Sequence, residues 1–270
     1  MTVAAGHPFI EWRGVRHAYG TRHSRIEALQ QIDAQVQPNE FVSLLGPSGC
    51  GKTTLLLLSG GLMRPTAGQV LVNGEPLGEP YADMSIVFQR DLLFEWRSSL
   101  ANVLLPAEIR GTDRKQAAER ARELLRQTGL IGFEDKWPRE LSGGMRQRVA
   151  LCRSLLTDPH LLLMDEPFGA LDALTRRQMV VDLEELFLRR RKTILFVTHD
   201  IDEAVLLSDR VLVLSDRPGR IVADVAIDLP RPRGFEPDQT AFLAYITGIT
   251  REFEKLGVLR RQTRELGIMQ

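Results

Sequence analysis

Long apolar runs are missing from the 270 residues: no stretch approaches the roughly 18 uninterrupted apolar residues that a membrane-spanning helix needs. Residues 1–9 also lack the apolar core of a secretory signal, so any membrane role is expected to be peripheral. Cysteine is nearly absent. Cys50 and Cys152 are the only two, and both fall in segments that read as interior or active-site structure. That excludes a disulfide scaffold and suits a reducing compartment, the cytoplasm. Net charge is missing as well, because 35 basic residues balance 35 acidic ones. No global field therefore advertises nucleic acid or an anionic membrane as the main partner, and none is expected to be nucleic acid. The densest basic run, Arg189-Arg190-Arg191-Lys192, lies between a helical pattern and a buried strand, where it reads as a solvated helix end without function. Repeats and low-complexity tracts are absent too. What is present, 43% hydrophobic and 26% charged residues, can bury one sizeable core, or one core with a satellite subdomain.

Three short apolar runs read as strands buried on both faces of a parallel sheet: Phe41-Val42-Ser43-Leu44-Leu45, Leu161-Leu162-Leu163-Met164 and Ile194-Leu195-Phe196-Val197. Each ends in polar chemistry, at Gly46, at Asp165-Glu166 and at Thr198-His199. Open parallel sheets place ligands outside the carboxyl ends of their strands, so one site at that edge is implied. Further strands are expected over 9–19, 32–36, 69–73 and 85–88. Residues 211–214 and 221–225 flank Asp216-Arg217-Pro218-Gly219-Arg220 as an antiparallel hairpin with a Pro-Gly turn. The clearest helix is expected over 114–128, with Gly129 as its stop, and a polar linker from 234 leads to a helix over 239–256.

Gly46-Pro47-Ser48-Gly49-Cys50-Gly51-Lys52-Thr53 fits the Walker A pattern, after an expected strand and before the apolar run over 55–58. Glycines let backbone N–H groups converge on phosphates, and the helix N-terminus adds a positive dipole. Lys52 reaches the β- and γ-phosphates of ATP, and Thr53 offers a hydroxyl to Mg²⁺; Thr54 completes the nucleotide-binding stretch. Asp165, after four apolar residues, has the placement of a Walker B carboxylate that holds Mg²⁺ through its water shell. Glu166, one residue beyond, can accept a proton from the water that attacks the γ-phosphate. As a pair without a phosphate loop, the two carboxylates would read as a strand-end turn.

Leu141-Ser142-Gly143-Gly144-Met145-Arg146-Gln147 opens a second helix, with Ser142 as its cap and an apolar face through Val149, Cys152 and Leu156. A bare helix start is an anion site, and the chain already has one at 46–53. Two anion sites for one nucleotide point to a head-to-tail dimer in which Ser142 of each subunit closes over the γ-phosphate held by the other.

On that heptad, between the two Walker motifs, the chain resembles the ATPase subunits of ABC transporters over roughly 9–229. The resemblance implies an α/β P-loop NTPase with a RecA-like core, an N-terminal antiparallel β subdomain and a helical signature subdomain. It places the ATPase domain at 9–233 (core 9–89 and 160–233, helical part about 90–159) and a tail at 234–270. It also implies Tyr19 stacked on adenine and Gln89 sensing Mg²⁺ and the membrane partner. Gln147 joins the nucleotide set, Ala170-Leu171-Asp172 forms the dimer-facing loop, and His199 contacts the γ-phosphate. Taken alone, Tyr19 is a strand aromatic and His199 a strand-end histidine. Asp165-Glu166-Pro167-Phe168-Gly169, Ser215-Asp216-Arg217-Pro218-Gly219-Arg220-Ile221 and Leu92-Leu93-Phe94-Glu95-Trp96-Arg97 look like the nitrate, sulfonate and taurine importer ATPases of bacteria. That family implies a second nucleotide-binding subunit, membrane permease subunits, an indirectly coupled periplasmic or lipoprotein binding protein, and a place on the cytoplasmic face of the cell membrane. An ABC-type ATPase of a lipid-handling or mechanical complex, and a phosphotransferase holding its donor on the loop, stand beside the importer reading. The second of these needs an acceptor pocket within one subunit, which the heptad disfavours. Of Leu92, Leu93, Phe94 and Trp96, some are expected in a docking groove for a membrane subunit, the alternative being burial in the helical part.

Overall fold

The computed structural model describes residues 7–21, 24–234 and 237–257. Two sheets share the work. β1 (Ile10–Thr21), β2 (Ser24–Val36), β4 (Ala67–Val72) and β5 (Glu75–Pro76) form an antiparallel sheet in the order β2-β1-β4-β5. The other sheet runs β10-β9-β3-β8-β7-β6, from β3 (Phe41–Leu45), β6 (Met84–Val87), β7 (Leu161–Asp165), β8 (Thr193–Thr198), β9 (Arg210–Leu214) and β10 (Ile221–Ala226). Its five inner and edge strands from β9 to β6 pair in parallel, and β10 closes the other edge antiparallel to β9.

Every residue of β3 and β8 is buried, as a strand covered on both faces requires. The period-2 alternation then divides the side chains between two cores. Leu162, Met164 and Phe196 pack with Val103, Leu125, Val149 and Leu183 on one face. Leu161, Leu163, Leu195 and Val197 pack on the other with Leu55, Trp12 and Leu29. Each such leucine contributes on the order of 1.5–3 kcal/mol by leaving water. Trp12, at the centre of the second core, satisfies its indole by donating to Ser59 Oγ at 3.0 Å.

The helices are α1 (Lys52–Ser59), α2 (Ser99–Arg110), α3 (Arg114–Gln127), α4 (Gly143–Leu155), α5 (Ala173–Arg189), α6 (Ile201–Leu207) and α7 (Gln239–Lys255). Asp113 caps α3 by accepting from Gln116 N, and Gly129, at φ 70°, turns the chain after it, close to the expected 114–128. The α2 helix was not expected. Its Pro106 sits in the helix interior, and the preceding 88–98 loop carries little periodicity. Buried Asn102 fixes that loop from α2, accepting from Phe94 N and donating to the carbonyls of Phe94, Arg97 and Ser98.

Two further expectations are corrected. β2 begins at Ser24, eight residues before the expected start at 32, because register shifts between Trp12 and Ala18 of β1 disrupt the alternation that marks a strand pair. The end of the expected domain is tied into the fold just before the linker. Arg233 is buried and donates to the carbonyls of Val205, Ser208 and Ile227, while its N–H and that of Gly234 bond the Glu184 carboxylate. The basic run is solvated at Arg189, Arg190 and Arg191, as expected, but Lys192 turns inward, and Arg190 and Lys192 both bond Asp158. Among the described residues no helix is long and apolar enough to cross a membrane. The first six residues of the expected signal-free start and residues 258–270 of the expected tail lie outside the described residues.

Candidate functional site

The carboxyl edge of the six-stranded sheet gathers the residues singled out by the Walker patterns. β3 delivers the chain into residues 46–51, where Gly49 (φ 78°) and Gly51 (φ 104°) take backbone conformations that side chains resist. A Cβ at Gly51 would also collide with the Ala28 carbonyl at 2.8 Å. α1 starts at once, and its first residue, Lys52, is 4% exposed and donates Nζ to the carbonyls of Gly46 and Pro47 at 2.8 and 2.9 Å. Cys50 is buried, and burial raises its thiol pKa, so it serves as packing beneath the turn. Pro47, Ser48 and Thr53 stand at the surface of the loop.

β7 ends on Asp165, whose Oδ1 accepts from Thr53 Oγ1 at 2.9 Å. Burial is the largest cause that raises the Asp165 pKa, and neighbouring Glu166 adds to it while Thr53 opposes. Glu166 sits at φ 43°, an uncommon conformation that costs on the order of 1–3 kcal/mol where neighbours enforce it. Its N–H is held by the Val197 carbonyl at 2.9 Å across the β7–β8 boundary. Its carboxylate therefore stands free of the strand, with Oε1 at 3.9 Å from Lys52 Nζ and Oε2 at 3.2 Å from His199 Nδ1. A Cβ added at Gly169 would meet Gln89 Nε2 at 3.3 Å and Glu166 Oε2 at 3.8 Å, so Gln89 lies over the same edge.

A cleft of about 300 Å³ opens here, lined by Ser48, Gly49, Lys52, Thr53, Thr54, Glu166, Tyr19 and Arg217. Tyr19 is 44% exposed at its rim, braced edge-on by His17 and bonded through Oη to Thr54 Oγ1 at 2.9 Å. Arg217 was quoted in the sequence only as part of a hairpin motif. The β9–β10 turn brings it over the phosphate loop, where its Nε and Nη2 donate to the Gly49 carbonyl at 3.1 and 3.0 Å. No local signal could announce that contact across 168 positions.

The second anion-binding helix start does not join this cleft. Ser142 caps α4 by accepting from Met145 N at 3.3 Å, and both Ser142 and Gly143 are exposed. Gly144 packs so tightly that a Cβ would strike Thr175 Cγ2 at 2.4 Å. Gly143 and Gln147 line a different cleft with Gln89, Asp91, Ala170 and Leu171, and Gln147 donates to the Phe88 carbonyl. Asp172, exposed, caps α5 through Thr175 N, and that backbone bond lowers its pKa. Of the apolar quartet, Leu93 is buried, Phe94 half-buried, and Leu92 and Trp96 exposed at 50% and 69%.

A buried group behind His199 escaped the sequence reading. Glu203, on α6, accepts from Thr198 Oγ1 at 2.6 Å, and burial pushes its pKa up to about 7. Arg176 of α5 lies 3.7 Å from it and donates to the Leu171 carbonyl, yet its Nε is buried without a hydrogen-bond partner. His199 and the loop ending at Asp172 are thus linked through Thr198, Glu203 and Arg176.

A phosphate loop feeding α1, a strand-end carboxylate bonded to the loop threonine, and a glycine-opened helix outside the cleft define a P-loop ATPase of the ABC class. The comparisons agree. The protein-family profile described as ABC transporter matches residues 29–169. An ABC transporter ATP-binding protein of Methanocaldococcus jannaschii is 49% identical over 224 residues, 82% of each chain. The taurine import ATP-binding protein TauB of Burkholderia thailandensis is 46% identical over 213 residues, 79% of this chain and 82% of that one. The dimeric structure of the bacterial ABC transporter cassette MJ0796 superposes with a TM-score of 0.72 at 32% identity, covering 81% of this chain and 98% of that chain. A post-hydrolysis state of the same cassette with ADP and Pi gives 0.71 at 31% identity. This chain belongs to the ABC transporter family, as an ATP-binding, ATP-hydrolysing subunit.

Proposed function

We propose that the chain is the motor subunit of a bacterial importer, hydrolysing ATP as a head-to-tail dimer on the cytoplasmic face of the cell membrane and driving uptake through a separate permease. The TauB relatives favour taurine as the substrate, and the resemblance read from the sequence extends the class to nitrate, sulfonate or a related small solute, delivered by a periplasmic or lipoprotein binding protein. One observation carries the dimer: the Ser142 helix start and the Lys52 loop, both built for anions, line separate clefts of one chain. A twofold arrangement joins each Ser142–Gly144 stretch to the other subunit's residues 46–53.

In the cleft, Lys52 turns its ammonium from the Gly46 and Pro47 carbonyls toward the β- and γ-phosphates, with the loop N–H groups holding the rest. Tyr19 offers its exposed ring to the adenine. Thr53 and Asp165 supply the hard oxygen pair that suits Mg²⁺, and Gln89 the third; the bound ion would neutralise charge developing on the γ-phosphate. Among the described residues no cluster of three His, Cys, Asp or Glu offers a cage of protein ligands alone. A shared protein–phosphate site is the way Mg²⁺ is usually held. Glu166 Oε accepts the proton of the attacking water, and His199 orients Oε2 while contacting the γ-phosphate. Asp172, from the dimer-facing loop, and Gln147 complete the partner-side set.

Size-exclusion chromatography of Glu166→Gln tests the arrangement: a dimer is expected with MgATP and a monomer with MgADP, and Ser142→Arg added to it should abolish the dimer. An ATP-dependent dimer that survives Ser142→Arg would overturn the sandwich. The exposed Leu92 and Trp96 beside half-buried Phe94 support a permease contact here. Phe94→Ala with Trp96→Ala should uncouple transport in reconstituted vesicles while the isolated subunit keeps its melting temperature and ATPase rate.

A further inference from the structure

At the opposite edge of the sheet, beneath the amino ends of β7 and β8, a cavity of about 130 Å³ opens between α3 and α5. Its floor is apolar: Leu124, Leu155, Leu162, Leu183, Phe187 and Ile194, all buried. Its mouth is cationic. Arg120, Arg190 and Lys192 converge on one carboxylate, Asp158, at 3.1, 3.0 and 2.6 Å. One negative charge facing three positive ones leaves two uncompensated. The other acid at the rim, Glu123, is already held by Arg126 through both carboxylate oxygens.

We propose that this cavity binds a small amphipathic organic acid, a single apolar ring carrying one carboxylate, with the ring on the leucine floor and the carboxylate beside Arg120, Arg190 and Lys192. Size and charge together select that class. A dry cavity of about 150 Å³ holds benzene, so one of about 130 Å³ that opens at its mouth takes a single ring at most and has no room for the acyl chain of a lipid. An inorganic anion would leave the floor uncovered, and a neutral ring would add no counter-charge to the three cations that share Asp158. The occupant would touch two helices at once. Arg120 and Leu124 belong to α3, packed on the Ser142 helix, whereas Leu183 and Phe187 belong to α5, which Asp172 begins. A ligand here ties the two together, which makes the site regulatory.

Methyl-resolved NMR of the full chain titrated with benzoate is the test. Saturable shifts are expected at the methyl groups of Leu124, Leu183 and Ile194, with a Kd on the order of 1 mM for a ligand of this size. Benzamide, the neutral isostere, should bind at least tenfold more weakly, and sulfate should leave those methyl groups unmoved. The double variant Arg120→Gln, Arg190→Gln should lose benzoate binding at least tenfold while keeping its basal ATPase rate. Leu186→Phe, at the side of the floor, should fill the cavity and block binding through a change that leaves every cation in place. The proposal is overturned if benzoate produces no saturable shift at those methyls, if benzamide binds equally well, or if the double variant binds benzoate as the parent does.

Discussion

The two edges of one sheet treat charge in opposite ways. At the amino edge Asp158 is surrounded by three cations, and its pKa is held down to about 2. Arg210 bonds Glu40 and Asp224 together, and its pKa rises. At the carboxyl edge Asp165 and Glu166 stand side by side, with Lys52 3.9 Å from Glu166, and Asp165 is pushed up. Glu166 keeps a strained backbone, and the buried Nε of Arg176 makes no hydrogen bond, lying 3.7 Å from Glu203. Native charges are normally satisfied, so an edge left wanting partners is an edge built to receive them. The amino edge gathers cations round one acid; the carboxyl edge sets acids side by side, where we propose that phosphate and metal bind.

The largest effect that this contrast predicts comes from Lys52→Ala. The variant loses the buried cation aimed at the β- and γ-phosphates, so hydrolysis should vanish and nucleotide affinity fall steeply, read by ATPase assay and by titration with a fluorescent ATP analogue. Near-normal turnover would detach the carboxyl edge from the chemistry. Glu166→Gln comes next. Binding should persist, since Lys52, Thr53 and the loop backbone are intact, while turnover drops by about 10²–10⁴-fold, the range for removal of a general base.

Glu203→Gln probes the same edge one layer down. Its pKa of about 7 in the fold lies above the ordinary 4.5, so the fold binds a proton that the unfolded chain has released. The stability this proton gives is fully present below 4.5 and is lost as pH rises through 7. A neutral amide escapes that loss while still accepting from Thr198. The variant should therefore gain on the parent between pH 5 and pH 8, by roughly 3 kcal/mol at most. Melting curves that run parallel across that range would remove Glu203 from the account.

What could be read beforehand follows the same division. Residues 46–54 were legible because phosphate binding needs neighbouring backbone N–H groups, and so the whole device is contiguous. Asp165 and His199 were legible in part, since strand ends of a parallel sheet meet at one edge; the 3.2 Å approach of His199 to Glu166 needed the register of β7 on β8. Arg217 on Gly49, Arg176 beside Glu203 and the burial of Arg233 left no periodic trace, because each is a lone side chain whose partner lies elsewhere in the fold. The α2 helix was hidden by Pro106, which argues locally against the helix that tertiary packing of Val103 and Ala107 nonetheless enforces. The basic run was legible for three of its four residues: Arg189, Arg190 and Arg191 are solvated, and only the fold reveals that Lys192, 11% exposed, is turned inward onto Asp158.

The smallest effect belongs to the amino edge, where Asp158→Asn should cost stability and leave turnover unchanged. Burial pulls the Asp158 carboxyl up, yet Lys192 and Arg120 together hold it near 2, below its usual 3.8. A depressed pKa means that the stabilisation is present above 3.8 and disappears as pH falls through 2. The full shift would be worth more, but the Asp158 side chain is 39% exposed, so solvent screening brings the expected loss to about 1 kcal/mol. The measurement is the denaturant midpoint of variant and parent at pH 7 and again near pH 2, at low and high salt. At pH 7 and low salt the variant should be weaker; near pH 2 the two should converge, and high salt should narrow the gap at pH 7 by screening. ATPase activity should stay at the parental level throughout. A variant that keeps its stability but loses turnover would place Asp158 in the working machinery and erase the distinction between the two edges.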